Sequence, residues 1–123
     1  PLAEETGLIE KIGDWALHEA CRQFMSWRAE GVPLDHVSVN VSPRQFRGRD
    51  FVETVARALD ATGMPPDRLR LEITENVLIE DVDLAVERVH ELRRAGIRVS
   101  IDDFGTRYSS LGYLQRLPVN TIK

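Results

Sequence analysis

Three segments with strand periodicity alternate with segments of helix periodicity, and this alternation constrains the fold more than any other feature of the chain. Apolar and polar residues alternate over residues 36–42, 69–75 and 97–102. Apolar residues recur at helical spacing over residues 49–62 and 80–95. Because strands that are joined by helices through short loops pair in parallel with right-handed crossovers, the sequence predicts an α/β fold with a parallel sheet.

A longer amphipathic segment precedes the first strand and a shorter one follows the third. Apolar residues at helical spacing from residue 8 to about residue 30 predict a packing helix. Trp15 and Trp27 both belong to this helix, and we expect both to lie in the core. A short helix is predicted over about residues 109–117, before a fourth strand that starts at Thr121. The apolar stripe of the first helix is predicted to contain Ile9, Ile12, Ala16, Ala20, Phe24 and Trp27.

Each predicted strand has one polar face, although parallel strands that are buried on both faces usually read as continuous apolar runs. The apolar faces suit an outer layer of helices, and the polar faces suit the interior of a small barrel. The last inward residues of the three strands are Asn40, Glu72 and Asp102, and Lys123 follows in the same phase on the fourth strand. Their spacings of 32, 30 and 21 residues compare with ~30 residues for each unit of a (β/α)₈ barrel. The chain is therefore predicted to hold about half of such a TIM-barrel-like fold, with three full βα units and the start of a fourth strand.

The polar strand ends carry oxygen donors that suit hard cations. Asn40 offers an amide oxygen, and Glu72, Asp102 and Asp103 offer carboxylates, a set that favours Mg²⁺, Mn²⁺ or Ca²⁺ over Zn²⁺ or Cu²⁺. Adjacent aspartates also suit two metal ions about 3.5–4 Å apart, the arrangement that activates water against a phosphodiester. An Asx turn at Asp102 or Asp103 is the alternative. If Lys123 points inward it can hold the attacking water or stabilise developing negative charge, and otherwise it is a solvated lysine.

Composition excludes several classes of protein. The formal net charge is −4 with acidic and basic residues interspersed, so there is no basic stripe for DNA. Cys21 is the one cysteine, and we expect a buried thiol in a cytoplasmic protein rather than a disulfide framework. No apolar run approaches the ~20 residues of a membrane span, so any membrane anchor of a longer protein would lie outside this sequence.

Five runs of the sequence form a recognisable set: PLAEETGLI at 1–9, VNVS at 39–42, LEITE at 71–75, DDFGT at 102–106 and LPVNTIK at 117–123. Together they resemble the EAL domain of bacterial cyclic di-GMP phosphodiesterases, and the resemblance extends over the whole chain. It implies a (β/α)₈-like barrel that hydrolyses cyclic di-GMP to linear pGpG with two Mg²⁺ or Mn²⁺ ions.

The resemblance also implies a role for individual residues. Asn40, Glu72 and Asp102 would bind the first ion, and Asp102 with Asp103 the second. Lys123 would contact the catalytic water. Glu75 would fix the loop at residues 104–108 rather than touch the substrate.

The resemblance further implies partners in a longer protein. Members of the family commonly carry sensory or GGDEF-type domains. They dimerise near the loop after Asp103 and the helix that follows, which makes residues 108–117 the candidate homodimer interface.

Some features depart from the family pattern. Arg107 stands where the family usually has glycine, and Asn120 where it usually has aspartate. Further glutamates and a glutamine of the family would lie before Pro1 and after Lys123, so we expect these 123 residues alone to be inactive.

Two other functions remain open from the sequence. A non-catalytic module could bind cyclic di-GMP or dock a partner without hydrolysis. A glycosidase would also place carboxylates at barrel strand ends, but it gives no reason for Asp102 to adjoin Asp103.

Overall fold

The computed structural model describes residues 8–102 and 121–122 as a parallel sheet with helices packed on one face. The elements follow the predicted alternation of strand and helix, with additional short helices after β1 and β2. A 3₁₀ turn at Pro66–Arg68 leads into the second strand. The elements are α1 (Leu8–Ala29), β1 (Val37–Asn40), α2 (Pro43–Arg47), α3 (Phe51–Thr62), β2 (Leu69–Thr74), α4 (Glu75–Glu80), α5 (Val82–Arg94), β3 (Arg98–Asp102) and β4 (Thr121–Ile122).

The four strands pair in the order β1-β2-β3-β4, and every pairing is parallel. Val37 pairs with Leu69, and Leu71 with Val99. Ile101 pairs with Ile122. The predicted α/β fold with a parallel sheet is therefore confirmed.

The outward face of the sheet forms the core with the helices. Leu71, Val99 and Ile101 are completely buried on this face. Burial of each such side chain contributes about 1.5–3 kcal/mol relative to exposure. The inward face is polar, as the alternation predicts, and on β1 it is exposed to solvent at Ser38 and Asn40.

Helix α1 packs against α2, α3 and β1, but through a different face from the one the sequence predicts. Leu17, Cys21 and Phe24 form its buried line, while Trp15 is 66% and Trp27 48% exposed. The prediction that both tryptophans belong to the core is therefore wrong. Trp15 precedes Leu17 by two positions, which is about 200° around a helix, so the helix cannot bury Leu17 and Trp15 against the same neighbours. Among the described helices, none is both long and apolar enough to cross a membrane.

The helix boundaries differ from the predicted ones after β1 and β2. Residues 43–47 form α2 because Ser42 caps it: the Gln45 backbone N–H donates to Ser42 Oγ at 3.1 Å, and the Ser42 N–H donates to Gln45 Oε1 at 3.3 Å. After β2, helix α4 begins at Glu75 with no intervening loop. The predicted start at residue 80 falls near Asp81, whose side chain caps α5 by accepting from the Leu84 N–H at 3.1 Å.

Candidate functional site

The carboxyl edge of the sheet brings two of the predicted ligands into lateral register. Asn40, the last residue of β1, pairs with Glu72 of β2. Neighbouring strands lie about 4.8 Å apart, so the amide and the carboxylate start from adjacent positions on the same face. The Asn40 residue is exposed and Glu72 is half-buried.

Asp102 lies one inward position beyond this pair. It is in register with Thr74, and Ser100 takes the position level with Glu72. Two residues along a strand span about 6.6 Å, so the Asp102 backbone stands that much further toward the carboxyl end than the level of Glu72. The structure describes the backbone of Asp102, and the direction of its carboxylate stays a prediction.

Ser100 is a residue of this site that the sequence analysis did not select. It is completely buried, and it is in register with Glu72 on one side and Thr121 on the other. Its Oγ has no hydrogen-bond partner among residues 8–102 and 121–122. The alternation of β3 places Ser100 on the face of Asp102, which was the available signal, but its level relative to Glu72 depends on strand register.

Several predicted site residues lie outside the described residues: Asp103, Lys123, the departures Arg107 and Asn120, and the candidate dimer segment 108–117. Within the described part, no group of three histidine, cysteine, aspartate or glutamate residues is placed to hold a metal ion. The predicted ligand set contains one amide and the two adjacent aspartates, so the described carboxylates cover only part of it.

Glu75 is placed at the carboxyl edge by the direct transition from β2 to α4. Its side chain is 1% exposed. A buried carboxylate is costly unless it is hydrogen-bonded or paired, which fits a structural role better than contact with solvent-borne substrate. Residues 104–108, which Glu75 is predicted to fix, lie outside the described residues.

Helix α1 packs against β1 and against α2, the helix that follows Asn40. Gln45, which closes the Ser42 capping box, is 7% exposed. A Cβ at Gly13 would lie 2.3 Å from Gln45 Cδ, so a larger residue at this position of α1 would require the Gln45 side chain to move. Val41 N–H also donates to Glu72 O at 2.9 Å, which extends the β1–β2 pairing beyond Asn40.

Two contacts join the segments that follow β1 and β2. Arg47 of α2 forms an ion pair with Glu80 of α4. The Arg88 guanidinium of α5 donates to Gly48 O at 3.0 Å. The segments that follow β1 and β2 are therefore joined by side-chain contacts in addition to the pairing of the strands.

The amino edge of the same sheet has the opposite chemistry. Arg68 donates to Asp35 Oδ1 at 2.8 Å and to Asp35 O at 3.2 Å. His36 Nδ1 lies 3.2 Å from Asp35 Oδ2, and this hydrogen bond, with Arg68, holds the pKa of Asp35 below its ordinary value. Arg70 and Arg98 are paired in register on the inward face.

A parallel sheet with helices on one face and with amide and carboxylate donors at its carboxyl edge is typical of the α/β domains that keep their sites at strand ends. The sequence matches the EAL domain family over residues 1–123. The chain therefore belongs to the EAL domain family.

Two relatives from Pseudomonas aeruginosa carry names that state an activity. The bifunctional diguanylate cyclase/cyclic di-GMP phosphodiesterase MucR is 45% identical over 123 residues, which are 100% of this chain and 18% of MucR. The cyclic di-GMP phosphodiesterase NbdA is 39% identical over 122 residues, which are 99% of this chain and 16% of NbdA. Both relatives are thus much longer than this chain.

A solved structure extends the comparison to the fold. The MucR phosphodiesterase in complex with c-di-GMP superposes with a TM-score of 0.91 at 45% identity, and the match covers 99% of this chain and 49% of that chain. The chain thus spans about half of a solved EAL phosphodiesterase, which agrees with the predicted half of the domain.

Proposed function

We propose that this chain is the central part of a domain that hydrolyses the second messenger cyclic di-GMP to linear pGpG. The observation that carries the proposal is the register of the carboxyl edge, where Asn40 and Glu72 are level and Asp102 ends the next strand. Membership of the EAL family and the similarity to MucR and NbdA support the choice of substrate.

The donor set fits two Mg²⁺ or Mn²⁺ ions. Asn40, Glu72 and Asp102 would hold the first and Asp102 with Asp103 the second, because amide and carboxylate oxygens are the ligands such hard cations prefer. When bound, a pair of such ions would lower the pKa of a water molecule, so that it can attack at neutral pH, and would offset the negative charge of the phosphodiester.

The other residues bind and orient the reactants in this proposal. Lys123 contacts the attacking water, and Glu75 fixes the loop at residues 104–108 from its buried position. Water adds to one phosphorus, the bond from that phosphorus to one ribose oxygen breaks, and this oxygen takes up the proton that the water loses. The cyclic dinucleotide thus opens to a linear one that carries a new terminal phosphate.

The test uses the complete domain with Mn²⁺ and cyclic di-GMP, with the product identified by chromatography. We expect pGpG from the wild type, and a loss of at least about 100-fold for Glu72→Gln and Asp102→Asn, because each removes a charged oxygen donor. Asp60→Asn, an exposed aspartate on α3, is the matched control and should keep full activity.

Two results decide between this proposal and its competitor. Unchanged turnover in Asp102→Asn would show that the site is wrongly assigned. Tight binding of cyclic di-GMP by the wild type without any product would instead identify a sensing module. Residues 1–123 on their own should give no pGpG.

The domain is proposed to act within a longer, multidomain protein. MucR, of which the chain spans 18%, is by name both a diguanylate cyclase and a phosphodiesterase, which supports a GGDEF-type or sensory neighbour here. Dimerisation through residues 108–117 is part of the same proposal and is testable by the oligomeric state of the complete domain.

A further inference from the structure

We propose that the amino edge of the sheet is a docking surface for acidic side chains of the protein segments that complete the barrel. The surface is formed by Arg70 and Arg98, here called the arginine pair. It lies at the opposite end of the strands from the proposed catalytic site, and the proposal does not depend on phosphodiesterase activity.

The arginine pair places two like charges side by side. Arg70 and Arg98 are direct neighbours in the parallel register of β2 and β3, and both belong to the inward face. Like charges that are directly opposite on adjacent strands destabilise a sheet. A shared anionic partner removes that penalty.

The described residues do not supply all the hydrogen-bond and ion-pair partners that the two arginines require. Arg70 is half-buried, and its Nε is buried without a hydrogen-bond partner among them. Arg98 is exposed and has no ion pair within the same part of the chain. A buried guanidinium nitrogen without a partner is costly, which indicates that a polar group is missing from its surroundings.

The nearby acids do not supply the missing partner. Asp35 is already bound by Arg68 and contacts His36. Asp67 lines the same cavity of about 190 Å³ but forms no ion pair with either member of the arginine pair. The cavity therefore has an excess of positive charge, contributed by three arginines against two aspartates: Arg68, Arg70 and Arg98 against Asp35 and Asp67.

A protein carboxylate fits this surface better than a dissolved anion. The chain covers 49% of the solved MucR phosphodiesterase chain, so a similar length of polypeptide is available to face the inward side of this sheet. The planar guanidinium binds a carboxylate through two parallel hydrogen bonds. Side chains from closing strands would reach the arginine pair in a barrel interior that solvent ions enter poorly.

The experiment compares the thermal unfolding midpoints of the complete domain and its variants. Arg70→Met and Arg98→Met should each lower the midpoint at neutral pH by about 5 °C or more, since each leaves a buried carboxylate unpaired. Arg57→Met, an exposed arginine on α3, is the control and should change it little. The loss should shrink near pH 4, because a carboxylate that is left buried without its arginine is protonated there.

Asp67, Asp35 and His36 also face the arginine pair, so their contribution must be separated. We expect Arg98→Met to cost as much in an Asp67→Asn background as in the wild type. If the two changes are not additive, Asp67 is the partner and the proposal is overturned. The same holds if Arg70→Met and Arg98→Met behave like the control.

Two further arms keep the test decisive. Inorganic phosphate should leave the midpoint of the wild type unchanged, whereas a rise that disappears in Arg98→Met would reveal a site for dissolved anions and overturn the proposal. If the methionine variants do not fold, Arg70→Lys and Arg98→Lys keep the charge without the planar fork. These lysine variants should fold with an unfolding midpoint below that of the wild type. A midpoint equal to that of the wild type would contradict a carboxylate bound through two hydrogen bonds.

Discussion

The two edges of one sheet face carry opposite chemistry. The carboxyl edge has oxygen donors at Asn40 and Glu72, whereas the amino edge has guanidinium groups at Arg70 and Arg98. Glu72 and Arg70 are separated by two positions on the same strand, about 6.6 Å. In α/β barrels the carboxyl edge carries the site and the amino edge contributes to stability. Changes at the two edges should therefore affect different measurements.

The largest expected effect concerns metal binding at the carboxyl edge. A saturating divalent cation should stabilise the complete domain by about 3 kcal/mol at 100 times its Kd, because it binds only the folded state. Glu72→Gln should remove most of this gain, whereas Arg98→Met should retain it. Thermal unfolding with Mn²⁺ and then with a chelator measures both. If Mn²⁺ stabilised Glu72→Gln as much as the wild type, Glu72 would not belong to the metal site and the two edges would not differ in this measurement.

A smaller effect is expected beneath the carboxyl edge, where Gly13 contacts Gln45. Gly13→Ala should destabilise the domain by at most about 2 kcal/mol, because the cost of overlap with the buried Gln45 side chain is offset by about 1 kcal/mol of higher helix propensity. Gln45→Ala removes the obstacle, so the double variant should be no less stable than Gln45→Ala alone. Urea unfolding of the three variants measures this coupling, and simple additivity would contradict the contact.

Ser100, level with Glu72, should respond in the other direction. Its buried hydroxyl has no partner among the described residues, so Ser100→Ala should leave the free energy of unfolding unchanged or raise it by up to about 1 kcal/mol in metal-free protein. Ser38→Ala, an exposed serine on the same face, is the control. A clear destabilisation by Ser100→Ala would show that the hydroxyl has a bonding partner in the complete domain.

The smallest effect is expected from Asp35 at the amino edge. His36 and Arg68 lower the pKa of this exposed carboxyl, so its stabilising contribution is present above the pKa of an unfolded aspartate and is lost as the pH falls through the lower folded value. Asp35→Asn should therefore destabilise slightly at neutral pH and less at about pH 3, which lies below the pKa of an unfolded aspartate. Urea unfolding at both pH values, with and without added salt, tests the sign.

The sequence predicted the strands and their polar faces because alternation along a strand is a local property. Ser38 and Asn40 lie on the polar face, as expected. The levels of Asp102 and Ser100 relative to Glu72 were not predictable in the same way. They depend on the stagger between neighbouring strands, and the alternation within one strand gives the face of a residue but not its level relative to the next strand.

The errors on α1 have a related cause. A helix with apolar residues on more than one side allows two buried lines to be drawn, and both include Phe24. Packing against α2, α3 and β1 selects the line through Leu17 and Cys21, which leaves Trp15 outside. Cys21 was correctly expected to be buried, and burial raises the pKa of its thiol to about 11.

The order of the strands in the sheet is the order in which the ribosome makes them. Each new strand pairs with the one synthesised just before it, so no strand has to be inserted between two that already pair. Pairings between chain neighbours are also the quickest to form. The nascent chain can thus extend the sheet vectorially, one βα unit at a time, as it emerges.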